Sequence, residues 1–284
     1  MKFNTDSYFQ IGSAHYSAGK PCQDYAVSGS NESMATAIVS DGCSSGKRTD
    51  VGSRVLALGT LEVIVDHTKA FKDSLDGVVV RIDSRQQQII DTTQIILGLD
   101  PDDMLATCLY VYMTLNGGLV HIQGDGAVAF KFKDGHIDMY RYEWADNRPF
   151  YPSYINGRLE GFVRSHGGNP SSPKLFLNKI TRTTTGYYIS EICEKFSIEE
   201  GISGITLEIS KDELEEIDFV AVFSDGVSQI ENTDWKEAVS DFMAFKNTTG
   251  DFAKRRMIRG IKEMQKIGKG PIDDISYAVV RIEH

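Results

Sequence analysis

Two short apolar runs, far apart in the chain, end in the same polar tripeptide. Both runs, residues 35–39 and 219–223, are predicted to be buried strands, because they are rich in β-forming or small apolar residues and end at a turn sequence. Ser40-Asp41-Gly42 follows the first run, and Ser224-Asp225-Gly226 follows the second. Because a strand end presents its next side chain at a defined place, the pattern predicts two aspartates delivered to one shared site.

Helical spacing of apolar residues predicts four helices. The first begins at Thr49 or Asp50, and apolar residues at 51, 55, 58 and 65 form its buried face. The second covers about residues 82–97, and its predicted inward residues are Ile82, Ile89, Ile90, Ile96 and Leu97. These two should form a helical hairpin beside the sheets. The other two cover about residues 235–245 and 252–267.

An antiparallel meander is predicted between the two pairs of helices. Strands at 106–115, 119–123, 127–132 and 137–142 are separated by turn sequences rich in glycine and asparagine. A first strand is predicted at 8–11, a loop at 12–24 and a last strand at 275–282, whereas residues 187–209 show a mixed pattern. Residues 143–178 form an irregular, flap-like insertion. No linker divides the chain, so residues 1–284 are interpreted as one domain.

The amino-acid composition limits the classes of function that this protein can have. The chain has 284 residues, 41% hydrophobic residues and a formal net charge of -10, which argues against nucleic acid as a partner. The basic run from Lys254 to Lys262 is interpreted as a solvated helix face. No apolar stretch is long enough for a signal peptide or a membrane span, and the four cysteines show no metal-ligand spacing. These features predict a cytoplasmic protein with reduced thiols and no membrane contact.

The acidic turns suggest a site for a hard divalent cation. Aspartate oxygens, a backbone carbonyl and water are the ligands that Mg²⁺ and Mn²⁺ prefer, and glycine allows the backbone to approach the ion. A single Asp-Gly pair is most often only a turn, but the repeated motif after matching strands favours a site. Asp125, between two glycines in the meander, is either part of that site or a β-bulge.

Five ordered motifs resemble those of the metal-dependent protein phosphatases of type 2C, the PPM phosphatases, in a divergent bacterial form. The motifs are Gln23-Asp24, Ser40-Asp41-Gly42, Gly124-Asp125-Gly126, Ser224-Asp225-Gly226 and Asp273-Asp274-Ile275-Ser276. The resemblance implies an α+β fold, an α/β/β/α four-layer sandwich of two antiparallel sheets flanked by helices. It also implies a centre of two Mn²⁺ or Mg²⁺ ions at one end of that sandwich.

The family pattern also implies a role for each acidic residue. Asp41 would bridge both ions, the Gly42 carbonyl would bind one, and Asp225 and Asp273 would hold the other. Asp24 would act through a bound water. The implied reaction is hydrolysis of a phosphoserine or phosphothreonine protein by a metal-activated water, opposite a cognate kinase.

The chain departs from the family pattern at two places. No arginine stands in the first loop to bind substrate phosphate, so His15, Lys20 or a flap residue would replace it. His15 is either a general acid for the leaving oxygen or a loop histidine bonded to backbone. A third ion in bacterial relatives would use Asp125 and an aspartate at the position of Gln229, so a third ion here is doubtful.

Two other functions remain open from the sequence. The missing phosphate arginine is compatible with a catalytically silent relative that binds a partner. The arginines of the insertion, Arg148, Arg158 and Arg164, are compatible with a phosphatase of small phosphate esters or nucleotides.

Overall fold

A computed structural model describes residues 1–72 and 74–284 and shows two packed β-sheets with helices on both outer faces. The strands are β1 Lys2–Gln10, β2 Tyr25–Ser30, β3 Met34–Ser40, β4 Cys108–Thr114, β5 Gly117–Gln123, β6 Gly126–Phe132, β7 Ile137–Trp144, β8 Pro173–Arg182, β9 Tyr188–Ser197, β10 Ile205–Ile209, β11 Ile217–Phe223 and β12 Ile275–Glu283. The helices are α1 Ser13–Ser17, α2 Thr49–Phe71, α3 Val78–Leu97, α4 Leu159–Ser165, α5 Ile198–Ile202, α6 Lys211–Glu216, α7 Trp235–Phe242 and α8 Phe252–Gln265.

The strands form a seven-stranded and a five-stranded sheet. The order is β1-β12-β11-β6-β7-β8-β9 in the larger sheet and β10-β5-β4-β3-β2 in the smaller one, and all these pairs are antiparallel. The predicted meander is confirmed with one difference. β5 and β6 are consecutive in the chain but lie in different sheets, so Gly124-Asp125 is the crossing between them rather than a bulge within one ladder.

The core has three apolar layers. Alternate residues of both sheets, such as Val39, Val111, Val128 and Val222, meet between the sheets. Helices α2 and α3 cover the outer face of the five-stranded sheet, and α7 and α8 cover that of the seven-stranded sheet. The expected α/β/β/α four-layer sandwich is therefore confirmed.

Several element boundaries and orientations differ from those expected. The loop at 12–24 contains α1, and the irregular insertion is shorter than 143–178, because β7 continues to Trp144 and β8 begins at Pro173. The inward orientation predicted for Ile96 and Leu97 is wrong, since these side chains are 72% and 54% exposed. Ile90 is the last buried residue of α3, so the final turns of that helix extend beyond its packing partners. Leu58 of α2, also predicted to be buried, is 41% exposed.

In the described part of the chain, no helix combines the length and apolar character needed to cross a bilayer.

Candidate metal centre

Strand pairing brings the acidic turns to one end of the sandwich. β11 and β12 are antiparallel neighbours with Phe223 opposite Tyr277, so the end of β11 lies beside the start of β12. The Ser224 amide donates to the Ser276 carbonyl at 3.0 Å, which extends the pairing into the acidic turns. The aspartate after β11 and the aspartate pair before β12 therefore lie next to each other, although they are far apart in the sequence.

Glycine is required where these turns touch. A Cβ added to Gly226 would lie 1.9 Å from the carbonyl oxygen of Asp274, and a Cβ on Gly42 would lie 2.6 Å from that of Thr49. Any side chain at either position would displace backbone. The Gly42 backbone also forms a bridge with Ala106.

Thr107 holds Asp41 from the neighbouring strand end. The Asp41 amide donates to the Thr107 hydroxyl at 3.1 Å, and the Thr107 amide donates to the Asp41 carbonyl at 2.8 Å. Ser40 donates its hydroxyl to the Thr107 carbonyl at 2.5 Å. Thr107 could not be predicted from the sequence, because nothing in its local pattern marks it as a partner of Asp41.

The carboxylates of Asp24, Asp41, Asp225 and Asp273 act on one another as a cluster. Burial raises the pKa of Asp24 to about 7. Burial, followed by the negative charges of Asp24 and Asp225, raises the pKa of Asp41 well above its usual value. Burial also raises the pKa of Asp225, and the nearby charge of Asp273 acts in the same direction. The centre therefore concentrates negative charge that calls for a cation.

Asp24 is the clearest sign of a missing positive partner. Its side chain is 2% exposed, and neither carboxylate oxygen has a hydrogen-bond partner in the described residues. A buried carboxylate without a donor is strongly unfavourable unless it is neutralised or faces a cation. The donor set is made only of oxygens, which suits a hard divalent ion and fits the expected cofactor.

Asp273 and Asp274 have different surroundings. Asp274 accepts from the Gly12 amide at 2.8 Å and from the Gln23 amide at 2.6 Å, and its Oδ2 lies 2.9 Å from His15 Nδ1. Its oxygens are thus occupied in anchoring the first loop. The Asp273 side chain is 37% exposed, and within the described residues it accepts a hydrogen bond only from the next amide, so it is the freer ligand of the pair.

His15 lies in α1 and is buried, with its ring against the acidic turn. Its Nδ1 is 3.8 Å from the Asp273 carboxylate, and the three side chains His15, Asp273 and Asp274 bring ligand atoms within 4.8 Å of one another. The histidine is bonded to a carboxylate, not to backbone as the simpler expectation had it. Lys20 is exposed, and its Nζ lies 3.5 Å from the Ser44 carbonyl, at the rim of the centre.

Asp125 and Gln229 share a cavity of about 340 Å³ beside Asp225. Gln229 donates its amide to Asp225 Oδ2 at 2.9 Å, which occupies one oxygen of that carboxylate. Burial raises the pKa of Asp125, and the charge of Asp225 adds to the effect. Arg141 from β7 lines the same cavity. The sequence did not point to Arg141, because it occupies an ordinary outward position of an alternating strand.

The inserted segment lies against the centre. Tyr151 is buried there, and burial raises its pKa, with further contributions from Cys43, Asp125 and Asp41. A cavity of about 510 Å³ lies between Cys43 and the insertion and is lined in part by Arg148, Arg158 and His166. The aromatic and proline content of the insertion indicated a flap, but not which residue would reach the acidic turns.

Comparison with known proteins identifies the family. The family model described as Protein phosphatase 2C matches residues 11–260. The chain therefore belongs to the protein phosphatase 2C family, the metal-dependent PPM phosphatases. No curated protein sequence matches it.

Solved structures of bacterial phosphatases share the fold. The serine/threonine phosphatase Stp1 from Staphylococcus aureus is 11% identical, with a TM-score of 0.57, and the match covers 100% of this chain and 96% of that one. The Mycobacterium tuberculosis serine/threonine phosphatase PstP/Ppp is 11% identical, with a TM-score of 0.54 and full coverage of both chains. The S. agalactiae serine/threonine phosphatase is 14% identical, with a TM-score of 0.51, and the match covers 99% of this chain and 100% of that one. At these identities the similarity establishes the fold alone.

Proposed function

We propose that the protein is a Mn²⁺- or Mg²⁺-dependent phosphatase of phosphoserine and phosphothreonine proteins, acting opposite a protein kinase. The observation that carries the proposal is the cluster of Asp24, Asp41, Asp225 and Asp273 at one end of the sandwich, in which neither oxygen of Asp24 accepts a hydrogen bond from the described part of the chain. Family membership supports the same reaction class.

In this proposal, the metal ions would be held by Asp41, the Gly42 carbonyl, Asp225 and Asp273. When bound, they would supply an activated water and positive charge against the phosphoryl group. Asp24 orients water from its buried position, and Thr107 holds Asp41 in place through their paired backbone and hydroxyl bonds. Asp274 and His15 fix the first loop against the centre.

The substrate enters, in this proposal, between the turn at Cys43 and the inserted segment. The cavity near Cys43 is large enough for a phosphorylated side chain and its neighbours. Arg148 and Arg158 are its cationic lining residues, and Lys20 stands at the rim of the centre. Arg158 is paired with Asp102 at 2.6 Å, so Arg148 and Lys20 are the freer cations.

The test is hydrolysis by purified protein, with Mn²⁺, with Mg²⁺ and with a chelator. We expect metal-dependent turnover of a phosphothreonine peptide, and a loss of at least about 100-fold in kcat for Asp41→Asn and for Asp225→Asn. Asp76→Asn, which neutralises an exposed aspartate in the turn before α3, is the matched control and should keep full activity.

Other outcomes would redirect the proposal. Full activity of Asp41→Asn would refute the metal mechanism. Calorimetric absence of Mn²⁺ binding, together with no turnover, would favour a silent, partner-binding relative. Faster turnover of free nucleotides than of phosphopeptides would assign the same centre to a small-molecule phosphatase.

A further inference from the structure

A cationic groove lies on the outer face of the seven-stranded sheet, along α8 and the segment that follows α7. We call it the basic groove and define it by Phe245, Lys246, Arg255, Arg259, Lys262 and Lys266, which line a cavity of about 580 Å³. Residues 255, 259, 262 and 266 are spaced by four, three and four, so they lie on one face of the helix. All four of these side chains are exposed.

Most of these cations form no ion pair with a carboxylate of the described residues. Arg259 lies 3.7 Å from Glu263, which also lines the groove, whereas Arg255 donates to the neutral carbonyl of Thr249 at 2.6 Å. Among the described residues, no carboxylate oxygen lies within 4 Å of the amino groups of Lys246, Lys262 or Lys266. A protein with a net charge of -10 thus concentrates uncompensated cations on one surface.

The groove has an apolar floor between these cations. Phe245 and Ile258, both partly exposed, line the cavity, and the ring of Phe245 packs edge to face on the buried ring of Phe252, with the two centroids 5.1 Å apart. An apolar floor between cations suits a peptide ligand in which one apolar side chain is flanked by acidic side chains. It suits a nucleic-acid strand less well, because the rest of the molecule is acidic and would repel a long polyanion.

The dimensions indicate a short peptide. From Arg255 to Lys266 the helix rises by about 17 Å. An extended peptide covers that distance with about five residues. None of the predicted metal ligands lines the groove, although α8 leads through a short turn to Asp273. The groove is therefore a surface separate from the candidate metal centre.

We propose that the basic groove binds an extended acidic segment of a partner protein, about five residues long, with one apolar side chain against Phe245 and Ile258. Its cations contact the carboxylates of the segment, and the segment need not contain a phosphate. This binding does not depend on the proposed phosphatase activity.

The test is fluorescence anisotropy with the full chain and a labelled peptide of sequence Glu-Asp-Leu-Glu-Asp. We expect saturable binding that weakens severalfold as salt is raised, because exposed ion pairs are screened. The double variant Arg259→Glu, Lys262→Glu should weaken binding at least tenfold. The control Lys195→Glu, Lys211→Glu changes the net charge equally at exposed sites outside the groove and should bind normally.

Two further probes separate this proposal from simple attraction of charge. Replacing the peptide leucine by serine should weaken binding about fivefold. Calorimetric Mn²⁺ binding and the melting temperature should be unchanged in both double variants, which shows that the fold is intact. Equal loss of binding in the control variant, equal binding of a Gln-Asn-Leu-Gln-Asn peptide, or tighter binding of a single-stranded oligonucleotide would overturn the proposal.

Discussion

At the residue scale, the two adjacent aspartates before β12 have different surroundings. Asp274 is 2% exposed and receives two backbone amides on different oxygens, so its charge is stabilised by direct donors. Asp273 is partly exposed and faces the charge of Asp225. Hydrogen bonds to a buried charge are worth about 1.5–3 kcal/mol each. The first residue is therefore suited to a ligand, and the second to anchoring the loop.

We predict that Asp274→Asn lowers the free energy of unfolding of the metal-free protein by about 2 kcal/mol. Both carboxylate oxygens of Asp274 accept backbone amides, whereas an asparagine side chain has a single accepting oxygen. Asp273→Asn should not lower the free energy of unfolding, since neutralising this side chain relieves repulsion. Urea denaturation in chelator compares the two variants. Asp273→Asn should instead weaken Mn²⁺ binding in a calorimetric titration. Equal stability of Asp274→Asn and the parent protein would contradict the anchoring role.

His15 is expected to act by position rather than by proton donation, since its Nδ1 bonds to Asp274 and its side chain is only 9% exposed, which limits the access of a leaving oxygen to Nε2. A general acid matters most for a poor leaving group. We therefore predict that His15→Asn lowers kcat by a similar factor on a phosphoserine peptide and on para-nitrophenyl phosphate. A loss confined to the peptide would instead identify His15 as the general acid.

At the scale of elements, the centre depends on the close contact between the end of β11 and the turn before β12. Gly226 lies against the Asp274 carbonyl. The atoms that a Cβ would contact there belong to the backbone, so they cannot move aside as a flexible side chain could. We predict that Gly226→Ala destabilises the protein by about 2 kcal/mol, as expected for overpacking, and abolishes metal-dependent turnover. Denaturation and activity assays check this.

Gly161 provides the matched control for that substitution. It lies in α4, and a Cβ there would meet no heavy atom within 4 Å. Gly161→Ala should be neutral or slightly stabilising, because alanine favours the helix. If both variants were equally stable, the close approach at Gly226 would be of no consequence.

The pairing of β5 with β10 buries His121. Its Nδ1 lies 2.8 Å from the Thr206 hydroxyl, Nε2 has no partner in the described residues, and burial lowers its pKa to about 4. The unfolded chain therefore binds a proton near pH 6.5 that the folded protein takes up only near pH 4. The contribution of neutral His121 to stability is complete above about pH 6.5 and is lost as the pH falls towards 4.

We predict that the parent protein loses about 2 kcal/mol more stability between pH 7 and pH 5 than His121→Gln does. Urea denaturation of both proteins at the two pH values measures this difference. Parallel pH dependence of the two proteins would show that His121 is protonated at its ordinary pKa in the folded state.

At the scale of the whole molecule, two sheets bring into one centre residues that are separated by almost the entire chain. The cluster of carboxylates is unfavourable without a cation, and bound metal should therefore stabilise the native state. At a free Mn²⁺ concentration about 100 times Kd, we predict a gain of about 2.7 kcal/mol in the free energy of unfolding. Asp225→Asn should gain much less. Calorimetric melting with and without Mn²⁺ measures both, and no metal effect on the parent protein would argue against the centre.

The strand ends were predictable because they depend on local patterns. An apolar run that stops at Ser-Asp-Gly placed Asp41 and Asp225 after β3 and β11, and the last acidic turn was found in front of β12. Predictions from local patterns were wrong where packing between elements decides whether a side chain is exposed. Ile96 and Leu97 continue the helical period of α3 but lie beyond its buried stretch. Arg141 and Thr107 gave no local signal, since their importance comes from neighbouring strands and turns.

The sequence alone predicted the strands of the meander, the four longest helices and the aspartates that stand at strand ends, since these features depend on periodicity and turn chemistry over a few residues. Tertiary structure alone decided that β5 and β6 enter different sheets, that Asp274 anchors the first loop while Asp273 stays accessible, and that the cations of α8 line a groove. These features depend on contacts between segments that are far apart in the chain, and such contacts cannot be predicted from local sequence patterns.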